Sequence, residues 1–146
     1  MEPTLPIAEF GFPGPLRDRL VDAILRGEKT STTGLHEEYV RTGEEPAPVG
    51  QRELVVDSDG NAVAVIETTS VEVRRFGEVD LAFAIDEGEG FASVADWQAA
   101  HRRFFDSPEL QALLGEPRVT IDDDTLVVCH RFRLVEQLQR TGAGAP

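Results

Sequence analysis

The sequence is poorest in the residues that make the commonest specialised sites. A single cysteine, Cys129, rules out an intrachain disulfide and a multi-cysteine zinc site. No run approaches the roughly 18 apolar residues that a membrane helix needs, so no membrane partner is expected. The chain opens Met1-Glu2-Pro3-Thr4, acidic and without the basic and apolar regions of a secretory signal, which makes a cytoplasmic location the default expectation. The GxxxxGK[ST] phosphate loop is missing, and ordinary nucleoside triphosphate hydrolysis goes with it. His36, His101 and His130 have no HExxH-type spacing, and no dedicated metal site is expected. Lysine is nearly missing as well: of 14 basic residues only Lys29 is a lysine. An amine can lose its proton when desolvated and a guanidinium effectively cannot, so the exception invites a chemical reason. A solvated turn is the plain alternative.

What remains is ordinary globular material, 146 residues with 40% hydrophobic and 28% charged side chains, enough for one domain with a real core. The net charge is -13, divided as -8 over residues 1–73 and -5 over 74–146, so neither half is a basic module. Such a field repels polyanions at long range and disfavours a general nucleic-acid coating protein.

Residues 1–12, with Pro3, Pro6 and Gly11, read as an irregular lead-in. Leu16, Leu20, Ala23 and Ile24 recur at helical spacing over 15–26, with Gly27 as the stop. A threonine-rich segment then enters a short strand, and 35–41 reads as a short helix. Asp57-Ser58-Asp59-Gly60-Asn61 separates two β-rich runs, 52–56 and 62–74, and predicts a hairpin. In its second strand Val63, Val65, Glu67, Thr69, Val71 and Val73 alternate onto one face, where Glu67 interrupts an apolar row. Further helices are expected over 79–85, over 94–105 behind a Ser93 cap, and over 109–114, with a long closing strand over 126–135. The tail, 138–146, is expected to be flexible. Strands surrounding a helical insert predict a mixed α+β fold, a small β-barrel or strongly curved sheet with peripheral helices.

The densest chemistry lies in Gly27-Glu28-Lys29-Thr30-Ser31-Thr32-Thr33-Gly34, one amine among four hydroxyls beside flexible glycines. Thr30, Ser31 and Thr33, with Lys29 and Thr32, can bind an anion, activate a hydroxyl or recognise a polar base. β-Propensity alone also accounts for a threonine-rich strand start. His101 and His130 fall on apolar faces and read first as hydrogen-bonded core residues, and Cys129 as a packing residue. Asp122-Asp123-Asp124 reads as a solvated turn.

An ordered set of segments resembles the ASCH domain: Ile24-Leu25-Arg26-Gly27-Glu28-Lys29-Thr30-Ser31-Thr32-Thr33, Val63-Ala64-Val65-Ile66-Glu67-Thr68-Thr69, Glu87-Gly88-Glu89-Gly90, Trp97, His101, Phe104-Phe105 and Val127-Val128-Cys129-His130-Arg131-Phe132. The resemblance places an ASCH domain at 13–137. It implies a PUA-like fold whose cleft suits RNA or a nucleobase. Short members of the family resemble amidohydrolases acting on cytidine acetylated at its exocyclic amine, with a lysine, a threonine and a glutamate as catalytic residues. These fall on Lys29, Thr32 and Glu89, with Glu87 as the alternative carboxylate. Longer members, to which this chain is more similar, are associated with metal-assisted cleavage of single-stranded RNA. Short members carry an arginine two residues after the threonine where this chain has Gly34. Arg74, Arg131 or Arg133 would then supply the missing contact, with Glu67 a further candidate.

The leading expectation is therefore a hydrolase of RNA or of a modified nucleoside. Amide hydrolysis needs no cofactor, and RNA cleavage would call for a divalent metal ion. The rival is a non-catalytic RNA- or nucleobase-binding module with a regulatory role, and the third is a structural partner protein in which Lys29, Thr32 and Glu89 lie apart.

Overall fold

The computed structural model describes residues 4–138. Its first strand, β1 (Ile7–Ala8), pairs in parallel with β3 (Arg52–Val56), so part of the expected irregular lead-in joins the sheet and Phe10 enters the core. Between them come α1 (Pro15–Leu25), β2 (Ser31–Leu35) and α2 (His36–Thr42). β4 (Ala62–Arg75) follows β3 through the expected hairpin. A single 3-10 turn at Phe76–Glu78 then leads to α3 (Leu81–Asp86), α4 (Val94–Phe105), α5 (Pro108–Leu114) and β5 (Leu126–Gln137).

The ends of these elements follow local chemistry. Pro15 opens α1, where its missing N–H costs nothing. Asp80, Ser93 and Ser107 accept the backbone N–H groups of Phe83, Asp96 and Leu110 and start α3, α4 and α5. In the hairpin the Asp57 carboxylate takes the N–H groups of Asp59 and Asn61 at 3.0 and 2.9 Å, so the turn is built by its first residue.

The strands form one mixed sheet in the order β1-β3-β4-β5-β2. Closure into a barrel would need β1 to meet β2, and no such pairing occurs among the described residues. The long β4 and β5 are antiparallel, and β2 adds to the far side of β5 with Thr33 opposite Cys129. Register shifts at Val65/Ile66 and Thr68/Ser70 break the alternation expected for β4. Val63, Ala64, Val65 and Ile66 are all buried, so the expected single apolar row does not exist.

Two hydrophobic clusters flank the sheet. One joins Leu35, Val127 and Cys129 to Phe83 of α3, Trp97 and Phe105 of α4, and Leu110 and Leu114 of α5. The other packs Leu20, Val21 and Ile24 of α1 with Phe10 on Val55, Val63, Ile66 and Phe132. Val127 and Cys129 thus face one cluster and Phe132 the other, as strand alternation requires. Leu138 donates its N–H to the Val63 carbonyl at 2.8 Å, and the rest of the expected flexible tail lies outside the described residues.

Candidate functional site

The segment between α1 and β2 is tied down at both ends of its short path. The N–H groups of Glu28 and Lys29 both donate to the Ala23 carbonyl, at 2.9 and 3.1 Å, and Thr30 N–H donates to Asp86 O at 2.7 Å. This backbone clamp sends the Lys29 side chain inward, where it is only 2% exposed. Lys29 Nζ lies 2.7 Å from Ser31 O, 3.3 Å from Glu87 O and 3.3 Å from Glu87 Oε1. An ammonium has three N–H groups, and here three acceptors receive them. The ring of Phe10 lies beneath, 5.8 Å from Nζ.

Glu87, also 2% exposed, is the carboxylate at the centre. Its Oε2 accepts from Thr33 Oγ1 at 2.9 Å and from Trp97 Nε1 at 2.6 Å, and lies 3.1 Å from His101 Nε2. With Lys29 on Oε1, four polar groups surround one carboxylate, three of them at Oε2. Burial alone would raise its pKa. The charge of Lys29, then that of His101 with its hydrogen bond, and the Trp97 N–H outweigh burial and hold Glu87 down at about 2. Trp97 is fully buried, stacked between Phe76 and His101 with ring centroids 5.2 and 4.3 Å away.

Glu89, two residues on, sits at the exposed edge of the same cluster. Partial desolvation lifts its pKa against the pull of Lys29, and the neighbouring Glu87 charge lifts it further. Between the two acids Gly88 adopts φ +73, and an added Cβ would lie 2.6 Å from Glu28 O and 2.7 Å from Lys29 Cα. Only glycine lets the acidic loop press against the lysine-bearing segment.

Among the described residues Glu87, Glu89 and His101 form the one trio of potential ligand side chains whose donor atoms lie within 4.8 Å of one another. The donor set does not fit a divalent cation: three donors crowd Glu87 Oε2 and the Lys29 ammonium holds Oε1, so a cation there would lie against a positive charge, whereas hard cations need free carboxylate oxygens.

Other sequence candidates are distributed differently. Thr33 joins the cluster directly, and Ser31 contributes its carbonyl while its hydroxyl donates to Phe83 O at 3.0 Å. Thr32 is half-buried opposite His130, and its hydroxyl makes no hydrogen bond among the described residues. Thr30 is half-buried and acts through its backbone. Glu67 lies in another network, 3.0 Å from Arg52 Nε and 3.3 Å from Arg133 Nη2. Arg74 and Arg131 line a separate small cavity with Phe83 and Cys129, each already paired, with Glu72 and Asp86 respectively. His130, as expected of a satisfied core histidine, contacts the Ala47 carbonyl at 3.1 Å. The Asp122-Asp123-Asp124 turn is exposed, with Asp123 paired to Arg102.

Sequence reasoning read His101 as core and did not place it in a site. The available signal was the pair Trp97 and His101, four residues apart on one face of α4 and downstream of an acidic Gly-rich loop.

The ASCH domain family model matches residues 7–136. This chain belongs to the ASCH domain family. Its fold is similar to that of an ASCH domain from Lactobacillus crispatus, with 34% identity over 88% of this chain and 79% of that one, at a TM-score of 0.74. A protein from Enterococcus faecalis is similar over 94% of this chain and 78% of its own, with 26% identity and a TM-score of 0.77. An ASCH protein from Zymomonas mobilis shares the fold at a TM-score of 0.55 with 9% identity, over 92% and 70% of the two chains. No curated protein matches the sequence. Within the ASCH chain no helix among the described residues is long and apolar enough to cross a membrane.

Proposed function

We propose that this ASCH protein is a hydrolase that cleaves an acyl amide on a small modified nucleoside without a metal ion. The observation that carries the reading is the fully buried Lys29–Glu87 ion pair. Two charges removed from water cost several kcal/mol each before their attraction returns any of it, and hydrophobic residues of similar volume often serve stability as well or better. Such a pair beside an exposed carboxylate marks a candidate reaction centre.

In this reading the Thr32 hydroxyl attacks the acyl carbonyl and Glu89 accepts its proton. Negative charge grows on the carbonyl oxygen, and the cationic base of the site stabilises it through the low-dielectric interior. Glu89 then returns the proton to the departing amine as the C–N bond breaks, and water hydrolyses the threonyl ester. Lys29 acts here as a cation rather than a base, because three acceptors already occupy its N–H groups. The Lys29 ammonium on Glu87 favours the metal-free route, and the net charge of -13 favours a small neutral substrate over extended RNA.

The test is hydrolysis of cytidine acylated on its exocyclic amine, followed with and without a chelator. Turnover should be indifferent to the chelator, and Thr32→Val should lower kcat by about 10²-fold or more. Saturable nucleoside binding without turnover by the wild-type protein would assign the site to a binding module. Metal-dependent cleavage of single-stranded RNA, without amide hydrolysis, would overturn the proposal in favour of a nuclease.

A further inference from the structure

His101 is held between two groups that accept hydrogen bonds. Its Nδ1 lies 2.9 Å from the Trp97 carbonyl oxygen, which has no proton to give. Its Nε2 lies 3.1 Å from Glu87 Oε2, an oxygen already receiving the Trp97 indole N–H and the Thr33 hydroxyl. A neutral imidazole carries one N–H and could satisfy only one of these acceptors; an imidazolium satisfies both. The ring cannot turn away cheaply, because Trp97 stacks on one side and Phe105 meets its edge 5.8 Å away, with Phe91 tilted against it at 6.0 Å.

From this geometry we propose that His101 is the second cation of the site, a positioning residue whose imidazolium leaves the buried base with one positive charge in excess. The count is local: Lys29 and His101 are positive, and each contacts the negative Glu87 between them. The balancing charge is Glu89, at the exposed edge, with a carboxylate oxygen within 4.8 Å of the nearest Glu87 and His101 ligand atoms. The groups facing His101 from neighbouring elements are thus Glu87 and Glu89 from the loop after α3, with Lys29 behind Glu87; the rest are aromatic rings. The surplus sits directly behind the accessible carboxylate, so once Glu89 has taken up a proton an anionic centre developing there is met by net positive charge, in a protein whose net charge is -13.

The role at the oxyanion rests on the hydrolase reading above, but the charge itself does not, and the measurements separate the two. In the wild-type protein, ¹⁵N NMR of the histidine rings should show both His101 nitrogens protonated at a pH where His130 is already neutral. Burial depresses His130, while the Glu87 contact overrides burial at His101. A neutral His101 at the midpoint of His130 would overturn the proposal whatever the enzyme does. In His101→Gln, an amide N–H can still face Glu87 but the charge is gone, so the carboxyl resonance of Glu89 should titrate at higher pH than in the wild type. An unchanged Glu89 titration would overturn the electrostatic role. On acylated cytidine, His101→Gln should lose kcat about as much as His101→Phe, with KM little changed, and the alkaline fall in the wild-type pH–rate profile should disappear. Wild-type rates in His101→Gln would likewise refute a role in the reaction. If the wild-type protein turns over nothing, the hydrolase reading fails while the two NMR measurements still decide the charge.

Discussion

Two carboxylates in this molecule each gather two cationic side chains, and they do so in opposite surroundings. Glu67 lies in the middle of the β3-β4-β5 ladder with Arg52 and Arg133 on either side, all reached by water. Glu87 holds Lys29 and His101 in the interior, together with the Thr33 hydroxyl and the Trp97 indole. Hydrogen bonds from Arg52 and Arg133 lower the pKa of Glu67, as the surroundings of Glu87 lower its own. The consequences differ. Solvent can replace either arginine around Glu67, so that network acts as a cross-strand clasp. Solvent does not readily replace a partner of Glu87, because its side chain is only 2% exposed.

The sharpest way to break this contrast is to delete the buried acid. Glu87→Ala leaves Lys29 and His101 without their shared buried counter-charge and should cost about 3–5 kcal/mol in chemical denaturation. Replacing the pair together, Lys29→Met with Glu87→Leu, should recover part of that loss, with His101 left facing Glu89 alone. A double variant no more stable than Glu87→Ala would mean that the ion pair itself, rather than the stranded charge, holds the loop.

The same contrast governs the response to pH. Glu87 is lower in the folded state than its usual 4.5, so its contribution is present above 4.5 and is lost as pH falls from there toward about 2. His101 is raised above its usual 6.5, so its contribution is present below 6.5 and is lost as pH rises through the folded-state value. Urea midpoints should therefore be highest between those two values. Glu87→Gln should flatten both limbs: the acid limb disappears with the carboxylate, and the other weakens because His101 loses its counter-ion. A profile unchanged in Glu87→Gln would remove the cluster from the account.

A smaller effect is expected from the loop that separates the two acids of the site. Gly88→Ala forces a side chain into a positive φ and against the Lys29 backbone, costing about 1–3 kcal/mol by denaturation. Displacement of the loop should also shift the Lys29 and His101 resonances, which a remote destabilisation would leave in place. Smallest of all, Glu67→Gln should leave the denaturation midpoint within experimental error of wild type. A loss rivalling that of Glu87→Ala would erase the distinction between the two networks.

Much of the fold was legible because local pattern and tertiary need agree. The apolar spacing of α1 and α4, the Ser93 cap and the aspartate-glycine turn before β4 each specify their element with information held within a few residues. Legibility failed where pairing intervened. The bulges in β4 moved Glu67 out of an imagined apolar row and into the Arg52 and Arg133 ladder, and β1 exists only because β3 offers it an edge.

By itself the sequence determined that one lysine would stand among hydroxyls at the start of a strand, upstream of two acids spaced by a glycine, and that Trp97 and His101 would share a helix face. Only the tertiary structure decided which acid takes the lysine. Glu87 and Glu89 are chemically identical and two residues apart; the positive φ of Gly88 turns the chain between them, leaving the first in the interior and the second at the surface. Only packing, likewise, brought His101 against Glu87. An ionisable group takes its charge and its role from the dielectric and the donors around it, and those are assembled from β2 and the distant α3–α4 segment.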